Sequence, residues 1–223
     1  MKKSRVRPES SSVRILIVDD HPVVREGIAE RIRREQGWSV CGEAEDGPGA
    51  IDMVRKRAPD LATVDLTLKT GGGLELIKTL KSIRPKLKVV VVSMHDEALY
   101  AERAIRAGAS GYVSKQEPMS EIVRAIRTVL AGDIAVSEGF GRKVLQDWAE
   151  STPKRGSKPV ESLSDRELEI LRLIGGGLAT RQIAAELNIG VKTVETYRLR
   201  LKKKLKLTSA AALVRYAARN IEG

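Results

Sequence analysis

Between residues 13 and 130, five short runs rich in valine, isoleucine and leucine alternate with five amphipathic stretches, and this alternation limits the fold more than any other feature. The runs cover residues 14–18, 38–44, 61–64, 89–92 and 111–113. The amphipathic stretches cover 22–35, 47–57, 73–82, 97–106 and 120–130, with Pro22 and Ser120 suited to start their helices. Alternation at this spacing predicts βαβ units, and such units in series build a parallel sheet. The run Lys88-Val-Val-Val-Val-Ser93 is apolar on both faces, as a strand covered by helices on both sides must be. Ligands in such folds bind beyond the carboxyl ends of the strands. The residues that end each run therefore carry the functional information.

Those residues are reactive ones. Asp19 and Asp20 follow the first run directly, Asp65 follows the third, Ser93 ends the fourth, and Lys115 lies just past the fifth. Three carboxylates at one sheet edge repel one another unless a cation lies among them, and oxygen ligands with room for water suit Mg²⁺. A nucleophilic carboxylate, a divalent cation, a hydroxyl and a fixed ammonium together make a site that accepts a phosphoryl group, with Asp65 forming an acyl phosphate. Asp65 is expected to face outward beside the metal, and hence to be the single phosphorylated residue. Taken alone, each residue has a plainer reading: an Asp after a strand as a turn or helix cap, a Ser or Lys as surface. Their joint placement at four strand ends carries the functional reading.

The rest of the chain has a different character. Residues 1–12 form a basic tail, 13–131 the sheet domain, 132–160 a connector, and 161–223 an all-helical domain. Within the connector, residues 133–150 keep a helical pattern marked by Phe140, Val144, Leu145 and Trp148, whereas 151–159 read as a flexible linker. The net charge of +11 divides into +3 over residues 1–12, zero over 13–150 and +8 over 151–223. A neutral domain followed by a basic one points the second toward a polyanion, most simply nucleic acid. With 42% hydrophobic and 31% charged residues, the composition is that of a soluble folded protein. No apolar stretch approaches the roughly 18 residues that cross a bilayer, and no signal segment follows the basic start. A cytoplasmic location and no membrane partner are expected. The one cysteine, Cys41, falls in the second run and is expected to be a buried thiol rather than part of a disulfide or metal cluster.

In the all-helical domain, Ser164 can cap a helix with Glu167 three residues on, and Leu168, Leu171 and Ile174 mark its buried face. Gly175-Gly176-Gly177 ends it. A short helix over 180–187, a turn at Asn188-Ile189-Gly190 and a longer helix over 191–205 follow. This arrangement places the last of the three in a DNA major groove. Val194, Tyr197, Leu201 and Leu205 supply its buried side. Lys192, Thr193, Glu195, Thr196, Arg198, Arg200, Lys202, Lys203 and Lys204 are left for DNA, the earlier ones nearer base edges and the later basic ones nearer phosphates.

The ordered set Asp19-Asp20-His21-Pro22, Asp65, Gly73-Leu74-Glu75, Ser93 and Gly111-Tyr112-Val113-Ser114-Lys115 resembles the receiver domain of bacterial two-component response regulators. That resemblance implies a flavodoxin-like five-stranded parallel sheet of order 2-1-3-4-5. It also implies that Asp65 takes a phosphoryl group from the phosphohistidine of a partner histidine kinase. Asp20, Asp65 and the backbone carbonyl of Thr67 would bind Mg²⁺ directly, and Asp19 mainly through water. Ser93 and Tyr112 would be a switch pair, the hydroxyl moving toward the phosphoryl group and the ring turning inward; Lys115 would pair with the phosphoryl oxygens. Where the family usually has Pro and Gly four and five residues after the phosphorylated Asp, this chain has Lys69 and Thr70. The segment from Leu163 to about Ala218 is similar to the LuxR-type helix-turn-helix domain, which makes the chain similar to the NarL/FixJ class of response regulators. A fourth helix over 209–218 usually dimerises such domains, so the active form is expected to be a homodimer on double-stranded DNA. Tyr197 stands where the family commonly has His.

Two other readings compete: a DNA-binding regulator that works without phosphorylation, kept open by Lys69, and an Asp-nucleophile phosphatase. The second would need a cap around a substrate pocket, for which the first domain has no insertion. The expected protein is therefore no enzyme, beyond at most slow loss of its own phosphoryl group.

Overall fold

The computed structural model describes residues 12–69, 71–149 and 159–220. The basic tail up to residue 11, Thr70 and the linker over 150–158 lie outside them. The first domain is β1(Val13–Val18), α1(Pro22–Arg33), β2(Trp38–Ala44), α2(Gly47–Arg57), β3(Leu61–Val64), α3(Gly73–Ile83), β4(Lys88–Ser93), α4(Glu97–Ala107), β5(Gly111–Ser114) and α5(Met119–Ala131). All strand pairs are parallel, in the expected order β2-β1-β3-β4-β5. The chain reverses direction across the sheet between β1 and β3, which is where such folds leave a crevice at the carboxyl edge.

Two apolar layers hold the helices to the sheet, because side chains along a strand alternate between its faces. Leu16, Val18, Ala62, Val64, Val89 and Val91 pack against α2, α3 and α4. Ile15, Ile17, Val90 and Val92 pack against α1 and α5. Fully burying one such aliphatic side chain contributes about 1.5–3 kcal/mol. Local signals agree with this layering: Asp46 caps α2 by accepting from the Gly49 amide at 2.8 Å, and Asp96 caps α4 through Ala98.

Three expectations need correction. Helix α5 starts at Met119 with Pro118 as its cap, so Ser120 is an exposed residue of the first turn. Residues 133–137 are not helical: Gly132 ends α5 in a left-handed conformation, with φ 108°. Ala135 then runs beside β5, accepting from the Tyr112 amide at 2.7 Å and donating to the Ser110 carbonyl at 3.0 Å. An edge strand has backbone groups free, and Ala135 satisfies them. The connecting helix is therefore shorter, α6(Glu138–Ala149). Cys41 is half-buried rather than buried.

The second domain begins with a 3₁₀ turn over Pro159–Ser162, whose first two residues were expected in the connector, and continues as α7(Asp165–Gly175), α8(Thr180–Glu186), α9(Val191–Lys204) and α10(Ala210–Asn220). Ser164 and Glu167 form the expected reciprocal cap, and Leu168, Leu171 and Ile174 are buried. Asn188 takes the left-handed turn conformation before α9, with φ 50°.

Gly73 is a point of close approach. A β-carbon there would lie 2.4 Å from the Asp65 carbonyl oxygen and 2.5 Å from Leu66 Cα. Gly73→Ala is expected to lower stability by about 1–3 kcal/mol, as overpacking does. Gly139→Ala on α6, where the nearest atom is 3.8 Å away, should leave it unchanged or raise it by up to about 1 kcal/mol. Urea unfolding of both variants checks this, and equal effects would contradict it.

Candidate functional site

Four strand ends meet at the carboxyl edge of the sheet. Asp65 and Asp19 are almost fully buried, at 3% and 1% exposure, while Asp20 is part-buried. The expectation of an outward Asp65 is thus overturned: Asp20 is the more open carboxylate, while Asp65 is held by the Thr67 amide and against Lys115. The Lys115 ammonium bridges the buried pair, 2.6 Å from Asp19 Oδ2 and 2.7 Å from Asp65 Oδ2. Burial pushes the Asp65 carboxyl above its usual range, partly offset by the hydrogen bond from Lys115. Burial also acts against the charge of Lys115, but its bonds to Asp19 and Asp65 outweigh this and hold its affinity for the proton above normal.

Backbone amides finish the arrangement. The His21 amide donates to Asp19 Oδ1 at 2.9 Å and the Thr67 amide to Asp65 Oδ1 at 3.2 Å. Arg25, which the sequence reading passed over, donates to the Asp19 carbonyl at 2.6 Å. One ligand atom from each of Asp19, Asp20, His21 and Asp65 lies within 4.8 Å of the others. Asp20 Oδ1 makes no aligned hydrogen bond, although His21 Nδ1 is 2.7 Å away. A carboxylate oxygen short of donors, beside two others, fits a divalent cation. His21 was the missed neighbour, and its place directly after Asp19-Asp20 was the available signal.

Ser93 is fully buried at the end of β4. Its Oγ accepts from the His95 amide at 3.3 Å, and Tyr112 donates its hydroxyl to the His95 carbonyl at 2.8 Å. The Tyr112 ring, expected to turn inward on activation, already lies inside with 2% exposure, and burial raises its hydroxyl pKa. His95 had no role in the sequence reading. Its Nε2 contacts Thr67 Oγ1 at 3.0 Å, its ring stacks on Tyr100, and burial lowers its pKa to about 4. Lys69 points away toward solvent and pairs with Glu45 at 2.6 Å, holding that carboxyl below its usual pKa.

In α9, Val194 and Leu201 are fully buried, Leu205 just beyond its end nearly so, and Tyr197 half-buried. Lys192, Thr193, Glu195, Thr196, Arg200 and Lys203 are exposed, and Arg198 and Lys202 part-exposed. Lys204 is engaged elsewhere: its ammonium lies 2.7 Å from Glu167 Oε2 on α7. Burial would raise the Glu167 carboxyl, but Lys204 and Ser164 outweigh it and hold it low.

Family models match the chain in two places: the response regulator receiver domain over residues 15–127, and bacterial regulatory proteins of the luxR family over 161–217. The response regulator GacA of Pseudomonas aeruginosa is 34% identical over 93% of this chain and 96% of its own. RcsB from Salmonella enterica serovar Typhimurium, solved bound to promoter P1flhDC with the phosphomimetic BeF₃⁻, aligns with a TM-score of 0.70 at 26% identity. That alignment covers 93% of this chain and 99% of RcsB. A structure of two RcsB dimers on two parallel DNAs aligns with a TM-score of 0.56 at 26% identity over 94% and 99%.

Lys115→Met would leave two buried carboxylates unpaired, at a cost of about 3–5 kcal/mol. A divalent cation at a hundredfold excess over its Kd should stabilise the native chain by about 2.7 kcal/mol. Asp20→Asn should lose most of that gain. Thermal unfolding across a cation titration measures both, and an unaltered cation response in Asp20→Asn would remove Asp20 from the site.

Proposed function

Because the chain belongs to the response regulators of the NarL/FixJ class, with a receiver joined to a LuxR-type DNA-binding domain, we propose that phosphorylation of Asp65 by a sensor histidine kinase controls its binding to promoter DNA. The observation that carries this reading is the Lys115 ammonium held between the buried Asp19 and Asp65 carboxylates. A carboxylate oxygen of Asp65 bonds to phosphorus as the bond from phosphorus to the donor imidazole nitrogen breaks, that nitrogen leaving with the electron pair. Bound Mg²⁺ would supply charge neutralisation for the transferring oxygens. Asp20, Asp65 and the Thr67 carbonyl would hold it, and Asp19 would act through water. Lys115 turns from the carboxylates to the phosphoryl oxygens, and Ser93 donates its hydroxyl to them while Tyr112 stays packed behind.

The receiver spans 13–131 and the DNA-binding domain starts with the turn at Pro159, the two joined through α6 and a linker. RcsB dimers on DNA support a two-chain active form, which would read half-sites related by two-fold symmetry. Lys192, Thr193, Glu195 and Thr196 face base edges; Arg198, Arg200, Lys202 and Lys203 face phosphates. Lys204 is withdrawn from that set, since Glu167 holds it. This work belongs in the cytoplasm, and beyond taking the phosphoryl group the chain carries out at most slow loss of it.

Intact-mass measurement after acetyl phosphate and Mg²⁺ should find one added phosphate, absent in Asp65→Asn; labelling that persists in the variant would refute the assignment. On DNA, Lys203→Gln should weaken all sequences alike and reduce the salt slope by about 0.9, whereas Lys204→Gln should change it by less. Replacing Lys192 or Thr196 should shift base preference by about 1–3 kcal/mol for a lost specific contact. Binding measured against salt on two operator variants separates these effects, and uniform weakening from every substitution would contradict the division.

A further inference from the structure

His21 is the one member of the rim cluster to which phosphoryl transfer assigns no role, yet its imidazole stands where a ligand of the cation would. Nδ1 lies 2.7 Å from Asp20 Oδ1 and 3.3 Å from Asp19 Oδ1. Adjacent ligands of an octahedral ion with bonds of about 2.1 Å lie about 3 Å apart. The two spacings fall on either side of that value, and one ligand atom from each of Asp19, Asp20, His21 and Asp65 lies within 4.8 Å of the others. The contact with Asp20 does not replace an ion. No aligned hydrogen bond forms across it, so Asp20 Oδ1 is a buried oxygen without a hydrogen-bond partner among the described residues.

The backbone fixes the imidazole in this place. The His21 amide donates to Asp19 Oδ1 at 2.9 Å, and its carbonyl accepts from the Val24 amide at 3.1 Å and the Arg25 amide at 3.2 Å, closing the start of α1. With both ends of the residue pinned, only its two side-chain torsions remain to be set. An exposed histidine has water available to both ring nitrogens, yet here Nδ1 lies against the carboxylates. The side chain is 62% exposed, so an arriving ion reaches it from solvent. Three carboxylates stand against the single positive charge of Lys115, and a divalent ion closes that balance. A neutral imidazole adds a donor to the ion without adding charge.

We propose that His21 is a nitrogen ligand of the receiver's divalent-cation site, so that the site binds a later transition ion such as Ni²⁺ more tightly than Mg²⁺. This rests on the reading that the rim holds a cation beside Asp65. Asp20, Asp65 and the Thr67 carbonyl supply three oxygens, and His21 takes a position that water would otherwise fill. Two of six positions are left, one for the water that reaches Asp19 and one for a phosphoryl oxygen. Mg²⁺ is a hard ion that selects oxygen, whereas imidazole suits the later transition ions. Oxygen ligands alone also bind such ions. The contribution of His21 is therefore the part of the Ni²⁺ affinity that disappears with its imidazole.

The test uses the full chain without an affinity tag and titrates Mg²⁺ and Ni²⁺ separately, with calorimetry giving each affinity. His21→Ala should weaken Ni²⁺ at least about tenfold, the loss usual even for a group that only orients a ligand, and Mg²⁺ by less than about threefold, since water replaces the nitrogen. His21→Gln, which offers oxygen in place of nitrogen and guards against a loss of fold, should weaken Ni²⁺ likewise. Asp20→Asn should weaken both ions. Proton magnetic resonance of the Ni²⁺-loaded native chain gives the direct signature: an exchangeable imidazole proton shifted far outside the usual range by the paramagnetic ion, and absent from His21→Ala. The chain has two histidines, and His95 stays in every variant, so loss of the signal assigns it to His21. Equal weakening of Ni²⁺ and Mg²⁺ in His21→Ala would overturn the proposal, as would a loaded native chain without the shifted proton or Ni²⁺ binding untouched by Asp20→Asn. Intact-mass measurement with acetyl phosphate separates the two levels: if Mg²⁺ binds and Asp65 takes a phosphoryl group while His21→Ala keeps its Ni²⁺ affinity, only this inference fails, and if neither ion binds and Asp65 takes none, both fail.

Discussion

One cation between two carboxylates sets the geometry of the receiver edge. Lys115 closes on Asp19 and Asp65 from the far end of the site, so three strands, β1, β3 and β5, are tied at their carboxyl ends by a single ammonium. Such a buried group is not there for stability alone, since an apolar replacement of similar shape often serves as well or better. Its consequence is chemical. It keeps two negative charges 2.6–2.7 Å from one positive charge, with a third carboxylate alongside and a net negative charge left over. A divalent cation and a phosphoryl group are the species that would complete that balance.

The same edge explains why the responding residues lie where they do. Parallel strands deliver their last residues to one rim, so Ser93 at the end of β4 and Tyr112 inside β5 are neighbours of Asp65 by topology rather than by sequence. His95 then ties them together, and Tyr100 carries the contact out along α4. Arg103, one turn further, meets the start of α7. The basic domain is thus joined to the acidic site through packed side chains. Lys192, Thr193, Glu195, Thr196 and Arg200 on the reading face of α9 remain exposed beside this seam.

Most of this rim was legible in the sequence, because strand periodicity fixes where a run ends and the residue types there are chemically unusual together. The assignment of Asp19, Asp20, Asp65, Ser93 and Lys115 to one edge followed from that alone, whereas the strand order came from the resemblance to receiver domains. What was not legible had physical reasons. The burial of Asp65 goes with the Thr67 amide and the Lys115 ammonium closing on its carboxylate, contacts that leave no periodic mark in the sequence. Residues 133–137 were grouped with the helical pattern that follows them, but Ala135 sits beside an edge strand whose backbone groups needed partners. Lys204 looks like any lysine of a basic face until Glu167, thirty-seven positions earlier in the chain, is folded against it. Asp165 and Arg103 are likewise ordinary helix residues in sequence, and only the docking of the domains makes them partners.

The central claim is that one carboxylate, Asp65, governs DNA binding by a domain it does not touch. The most direct measurement is the affinity of the full chain for a DNA fragment carrying two half-sites, with and without acetyl phosphate and Mg²⁺, for the native protein and Asp65→Asn, with the number of chains per fragment determined in each case. The account predicts tighter binding of two chains by the phosphorylated native protein and no response from the variant. Equal affinity of the native protein in both states, or an equal gain in Asp65→Asn, would contradict it.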